Sequence, residues 1–179
     1  PLNLKRTCPY RFAASLLTVL RERSEGPLDI DTLGEPLRLG WVSPQTQSLD
    51  ASLPTDLVDE LVDEYQGTRL SITDWKRQIA ESDIESQHKH HLIAYLNWLG
   101  AQPQQPSPDA FLDAILGAMD AYEHTVLPSE VGDEPVSELA ETLRGFDRTV
   151  TLLETVQQRY SKWLDYGRAE RSWGVLEEL

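Results

Sequence analysis

A chain of 179 residues with 40% apolar side chains and five tryptophans can bury a core in a single domain, 1–179, which argues against disorder as its main state. Its formal charge of −14 argues against general nucleic-acid binding, because such a surface repels phosphate backbones. No stretch approaches the ~20 apolar residues of a membrane span, no charged-then-apolar leader opens the chain, and the single cysteine, Cys8, has no internal disulfide partner. A cytoplasmic location is therefore expected.

Charge is unevenly spread. Residues 1–24 carry Lys5, Arg6, Arg11, Arg21 and Arg23 against Glu22 alone. Residues 107–143 carry nine acids and neither lysine nor arginine. The acidic stretch reads first as a solvated face and second as a surface for a basic protein partner.

In chain order, the spacing predicts a helix over 9–23. Thr7 precedes it, Pro9 lies in its first turn, and Tyr10, Ala13, Leu17 and Leu20 line one face beside Phe12, Leu16 and Val19. Gly26-Pro27 ends it. Residues 26–53, punctuated by proline and glycine, read as an irregular wrapping loop, and 36–42 alternates enough for one short extended segment. Residues 54–66 place Leu57, Val58, Leu61, Val62 and Tyr65 at helical spacing with the acids opposite. A longer helical run covers 73–99, with a weak point at Ser82-Asp83, and Gly100 and Pro103 close it.

Ser107-Pro108-Asp109 opens the next helix, through Phe111, Ile115, Met119, Tyr122 and Val126. Residues 128–134 read as an internal linker. A last helix over about 136–166 has Leu139, Leu143, Phe146, Val150, Leu153, Val156, Tyr160 and Trp163 on one stripe, a rod of about 45 Å at ~1.5 Å per residue. The fold expected is all-α, a bundle of about five main helices with a long C-terminal one.

The run 73–99 holds three of the four histidines. Glu85 and His88 stand three apart, as do His88 and His91, so the three could line one helix face, and His88, His91 and His124 could hold a single zinc. His88 and His91 also fall on the apolar stripe, where a half-buried histidine is commonplace. A di-iron site would need a second Glu-x-x-His pair, and the chain has one. No metal or cofactor is expected.

Residues 62–76, with Asp63, Asp74 and Lys76, resemble the core of the RecB-like nucleases of the PD-(D/E)xK superfamily. The stretch His91-Leu92-Ile93-Ala94-Tyr95 resembles their Q-L-x-x-Y motif, and Cys8-Pro9-Tyr10-Arg11-Phe12 their C-P-x-x-F. The resemblance implies a hairpin, Mg²⁺ on Asp63 and Asp74, and a water oriented by Lys76. The chain departs from it in carrying Glu60 where that family has glycine, in lacking its upstream histidine motif, and in the helical period of 57–65.

No nucleophile elbow or phosphate-cradling glycine loop occurs. The reading favoured is a non-enzymatic acidic interaction protein, an adaptor, assembly factor or small complex subunit that binds a protein partner or itself. Tyr166 and Trp173, off the helical stripe, and the basic residues Lys5, Arg6 and Arg11 are its expected contact residues. The alternatives are the metal-dependent nuclease and an acidic mimic of nucleic acid that occupies a DNA-binding protein.

Overall fold

A computed structural model of the chain describes residues 4–44, 52–102, 108–125 and 136–165. Among them the fold is all-α. After a 3-10 turn at Leu4–Arg6 come α1 (Cys8–Glu25), β1 (Leu28–Asp29), α2 (Ile30–Arg38), α3 (Thr55–Glu64), β2 (Arg69–Leu70), α4 (Ile72–Glu81), α5 (Ser86–Ala101), α6 (Pro108–Thr125) and α7 (Val136–Asp165). No helix among the described residues is long and apolar enough to cross a membrane.

Helix α1 is the shared element. Phe12, Leu16, Val19 and Leu20 are all fully buried, and the Ser15 hydroxyl is neutralised by donating to the Phe12 carbonyl at 2.7 Å. Those side chains point around more than one face of the helix, so α1 is covered by α2 on one side and by α6 and α7 on the other. Phe12 stacks on Tyr122 of α6 with ring centroids 4.7 Å apart. The start of α1 therefore meets the end of α6, and the two run antiparallel. Helix α7 runs antiparallel to α6, because Gly145 touches Thr7 at the start of α1 while Gln157 reaches Asp113 near the start of α6 at 2.6 Å.

The close approach at Gly145 is sequence-encoded. A Cβ added there would lie 2.8 Å from the Thr7 Cβ, so only glycine lets α7 seat against the beginning of α1. Phe146, Thr149 and Leu153 then complete the seam as buried residues of α7, with the Thr149 hydroxyl returned to the Gly145 carbonyl at 2.7 Å.

The region 26–53 is where expectation and structure part. Residues 30–38 form a helix, and the extended segment lies at Leu28–Asp29, ahead of the 36–42 stretch expected to hold it. The physical reason is visible in the sequence once the cap is recognised. The Asp29 carboxylate accepts from the Thr32 N–H at 2.8 Å, and Ile30, Leu33, Gly34 and Leu37 recur at helical spacing and are all buried. Pro36 stands two residues before the helix end, so its missing N–H forfeits a single intrahelical bond. Gly34 is a packing contact: a Cβ there would come within 3.1 Å of Val62, so its absence lets α2 lie close against α3.

The two short strands pair antiparallel, Leu28 opposite Leu70 and Asp29 opposite Arg69. The indole N–H of fully buried Trp75 in α4 donates to the Leu28 carbonyl at 3.0 Å. Together these tie the α1–α2 connection to α4. The run 73–99 is broken where its weak point predicted, into α4 and α5, with residues 82–85 outside both helices. The expected linker 128–134 lies outside the described residues.

Two glycine substitutions should move stability in opposite directions. Gly117→Ala, on an open face of α6 with nothing within 4 Å of the new Cβ, should gain up to about 1 kcal/mol from helix propensity. Gly145→Ala should lose roughly 1–3 kcal/mol by forcing α7 off α1. Chemical denaturation midpoints of the two variants give the comparison, and equal effects would contradict this packing.

Candidate functional site

The aromatic cluster around Trp41 absorbs the histidine motif. Leaving α2, the chain turns through Trp41 N–H to Pro36 carbonyl at 2.9 Å, which delivers a fully buried Trp41 against α5. Tyr95 packs on it at 4.9 Å and Trp98 at 5.9 Å, and His91 meets its ring edge-on at 5.5 Å. His91 Nε2 donates to the Trp41 carbonyl at 3.0 Å, which fixes the proton on that nitrogen. Burial pulls its pKa below the ordinary histidine value, opposed in part by the carbonyl, and His88 and His90 add to the lowering. The Tyr95 hydroxyl is pushed well up by burial. Neither it nor the Trp41 indole N–H has a hydrogen-bond partner among the described residues.

His88 lies elsewhere, 3.7 Å from the carboxylate of Glu85, the residue that precedes α5. The His124 side chain is outside the described set, and among the described residues no three His, Cys, Asp or Glu side chains converge as a metal site would require.

The residues of the nuclease resemblance do not share a hairpin. Asp63 is an exposed residue of α3, because Val58, Leu61 and Val62 recur at helical spacing and bury that helix on α2. Asp74 sits in the first turn of α4, accepts from the Ser71 hydroxyl at 2.7 Å and pairs with Arg77. The intervening strand is two residues long and pairs with Leu28–Asp29, not with the segment bearing Asp63. Lys76 is half-buried at the side of a cleft, described below, with no carboxylate partner among the described residues.

Of the expected contact residues, Lys5 and Arg6 are exposed on the N-terminal 3-10 turn. Arg11 is turned onto the protein's own body, donating to Glu35 of α2 at 3.2 Å. Tyr166 and Trp173 lie outside the described residues, and of Tyr160 and Trp163 only the helical backbone is described. On the described part of the α7 stripe the apolar residues are largely spent on α1 and α6, while Leu143 stands 42% exposed.

Two surface features stand apart by their charge. One is the outer face of α3, where Asp56, Asp59, Glu60, Asp63 and Glu64 are all exposed. Arg38 of α2 donates to Asp59 at 2.6 Å, and among the described residues the other four carboxylates have no cation in reach. Residues 56, 60, 63 and 64 share one side of the helix, so their charges add.

The other is a cleft of about 640 Å³ between the end of α1, the start of α4 and the end of α5. Arg23 and Lys76 both line it. Arg23 donates to the carbonyls of Gln102 at 2.7 Å and Gly100 at 3.2 Å, closing the C-terminal end of α5, and burial lowers its pKa from the ordinary arginine value. Neither Arg23 nor this role of Lys76 is marked by any local motif, since residues 23, 76 and 100 are far apart in the chain.

Compared with family models, curated proteins and solved structures, the chain matches none.

His91 should leave a pH signature. Its folded pKa lies below the unfolded value of about 6.5, so the unfolded chain takes up the proton first and stability falls as pH drops through that value. His91→Gln keeps an N–H for the Trp41 carbonyl without titrating. The stability advantage of wild type over the variant should shrink between about pH 7.5 and 5.5, where carboxylate effects common to both largely cancel. Parallel stability curves would contradict the placement of this side chain.

Proposed function

We propose that the protein is a non-catalytic interaction module that docks a basic protein partner on the acidic face of α3. The observation behind this reading is the stripe Asp56, Glu60, Asp63 and Glu64, four exposed carboxylates with no cation in reach among the described residues. The fold does not need these groups, since α3 is held by Val58, Leu61 and Val62 on its opposite side. Like charges so close repel one another, so the arrangement costs the isolated chain stability and returns it when a cationic surface arrives. The overall charge of −14 extends the attraction and accelerates encounter with a basic partner.

The long helix α7 contributes rigidity, since its described apolar residues are largely committed to α1 and α6. A catalytic reading has less support: the acids of the nuclease resemblance lie on separate helices, with Asp74 engaged by Ser71 and Arg77.

The test is affinity capture from native lysate with the wild type and with Asp56→Asn/Glu60→Gln/Asp63→Asn/Glu64→Gln. The wild type should retain a basic protein at low salt and release it near 1 M salt, where the screening length falls to about 3 Å. The neutralised variant should fold at least as stably and fail to retain that protein at any salt. Equal capture by both forms would overturn the proposal.

A further inference from the structure

We propose that the cleft between α1, α4 and α5 is a binding site for a small ligand bearing one oxyanion, phosphate or carboxylate. The cleft has the size of an ordinary small-molecule site, about 640 Å³. Its walls pair two cations with apolar surface from Ile72 and Pro27, so they suit a ligand with an anionic end and an uncharged body.

The two cations differ in how they are held, and the difference is what makes the site. Arg23 spends two of its five N–H groups on the Gly100 and Gln102 carbonyls, which fixes the guanidinium plane and leaves three donors. Lys76 is half-buried and has neither a hydrogen bond nor a carboxylate among the described residues. Both converge on the end of α5: Arg23 binds the Gly100 carbonyl, and the Lys76 ammonium lies 3.7 Å from where a Gly100 Cβ would stand. A Cβ at position 100 would meet that ammonium and Ile72 at ordinary contact distance, which places the ammonium beside the end of α5.

An unpaired ammonium on a half-buried side chain is unexpected in a chain with 30 acids and 16 bases. Three other cations find carboxylates: Arg38 takes Glu35 and Asp59, Arg69 lies near Glu22 and Asp29, and Arg77, one residue on, takes Asp74, while half-buried Lys89 donates to the Ala80 carbonyl at 3.0 Å. The Asp74 carboxylate, the acid closest in sequence to Lys76, is bound by Ser71 and Arg77. Exposed Glu25 on the rim is the cleft's one acid among its lining residues. That rim charge and the net −14 reject polyanions, so the ligand is a small molecule carrying a single oxyanion.

Binding is read by amide chemical shifts of the full chain titrated with inorganic phosphate alone and with acetate alone. Saturable shifts at Ile72, Thr73 and Gly100 are expected with at least one anion. Phosphate alone would assign a phosphate ester, acetate alone a carboxylate ligand, and both a site for either. Lys76→Gln should weaken binding at least about tenfold, Lys76→Arg should largely restore it, and Arg77→Gln should leave it unchanged. No saturable shift at these amides with either anion would overturn the proposal. Unaltered affinity in Lys76→Gln, with its spectrum otherwise preserved, would overturn it equally.

Discussion

The whole structure depends on α1 being buried from several sides at once. A helix with Phe12, Leu16, Val19 and Leu20 all at zero exposure cannot be satisfied by one neighbour, so elements from distant parts of the chain must be recruited to it. The first recruits are the next elements in sequence, β1 and α2. The others are α6 and α7, brought in by the Phe12–Tyr122 stack and by the glycine contact between Gly145 and Thr7. Truncating a ring such as Phe12 would cost on the order of 3–5 kcal/mol, a large share of what holds a domain of this size together.

That economy decides what the surface is free to do. Helices α3, α4 and α5 are fastened from the inside, by Val58 and Leu61, by Trp75 reaching the Leu28 carbonyl, and by Trp41 with Tyr95 and Trp98. Their outward charges are therefore not needed for folding. On α3 the result is a row of carboxylates, which suits a cationic partner. At the junction of α1, α4 and α5 the result is the reverse, a pocket of positive charge set in an acidic molecule. As proposed sites, the two features would select opposite ligands.

Much of the fold was legible in the sequence. The stripes of α1, α3, α6 and α7 and the break between α4 and α5 follow from apolar period and caps, which are local signals. What was hidden was local structure that tertiary packing redefines. Gly34 and Pro36 read as breakers, yet one is a contact surface for Val62 and the other sits where a helix is about to end. His91 read as a candidate ligand, and its partner turned out to be the carbonyl of Trp41, fifty residues away. The cleft was illegible for the same reason, because Arg23, Lys76 and Gly100 carry no shared spacing and meet only in the folded chain. The acidic character of α3 was plain, but that Asp56, Glu60, Asp63 and Glu64 have no cation in reach among the described residues is a property of the fold alone.

The central claim is that Asp56, Glu60, Asp63 and Glu64 are left without cations among the described residues by a fold that does not use them. The most direct measurement is the unfolding free energy of the wild type as sodium chloride is raised from low concentration to about 1 M, at constant pH. Screening of mutual repulsion should make the protein more stable as salt increases, because repulsion between unpaired acids outweighs the few surface ion pairs. A stability that stays level or falls with salt would mean the acids are already paired within the chain, and the account of α3 as a free docking face would be wrong.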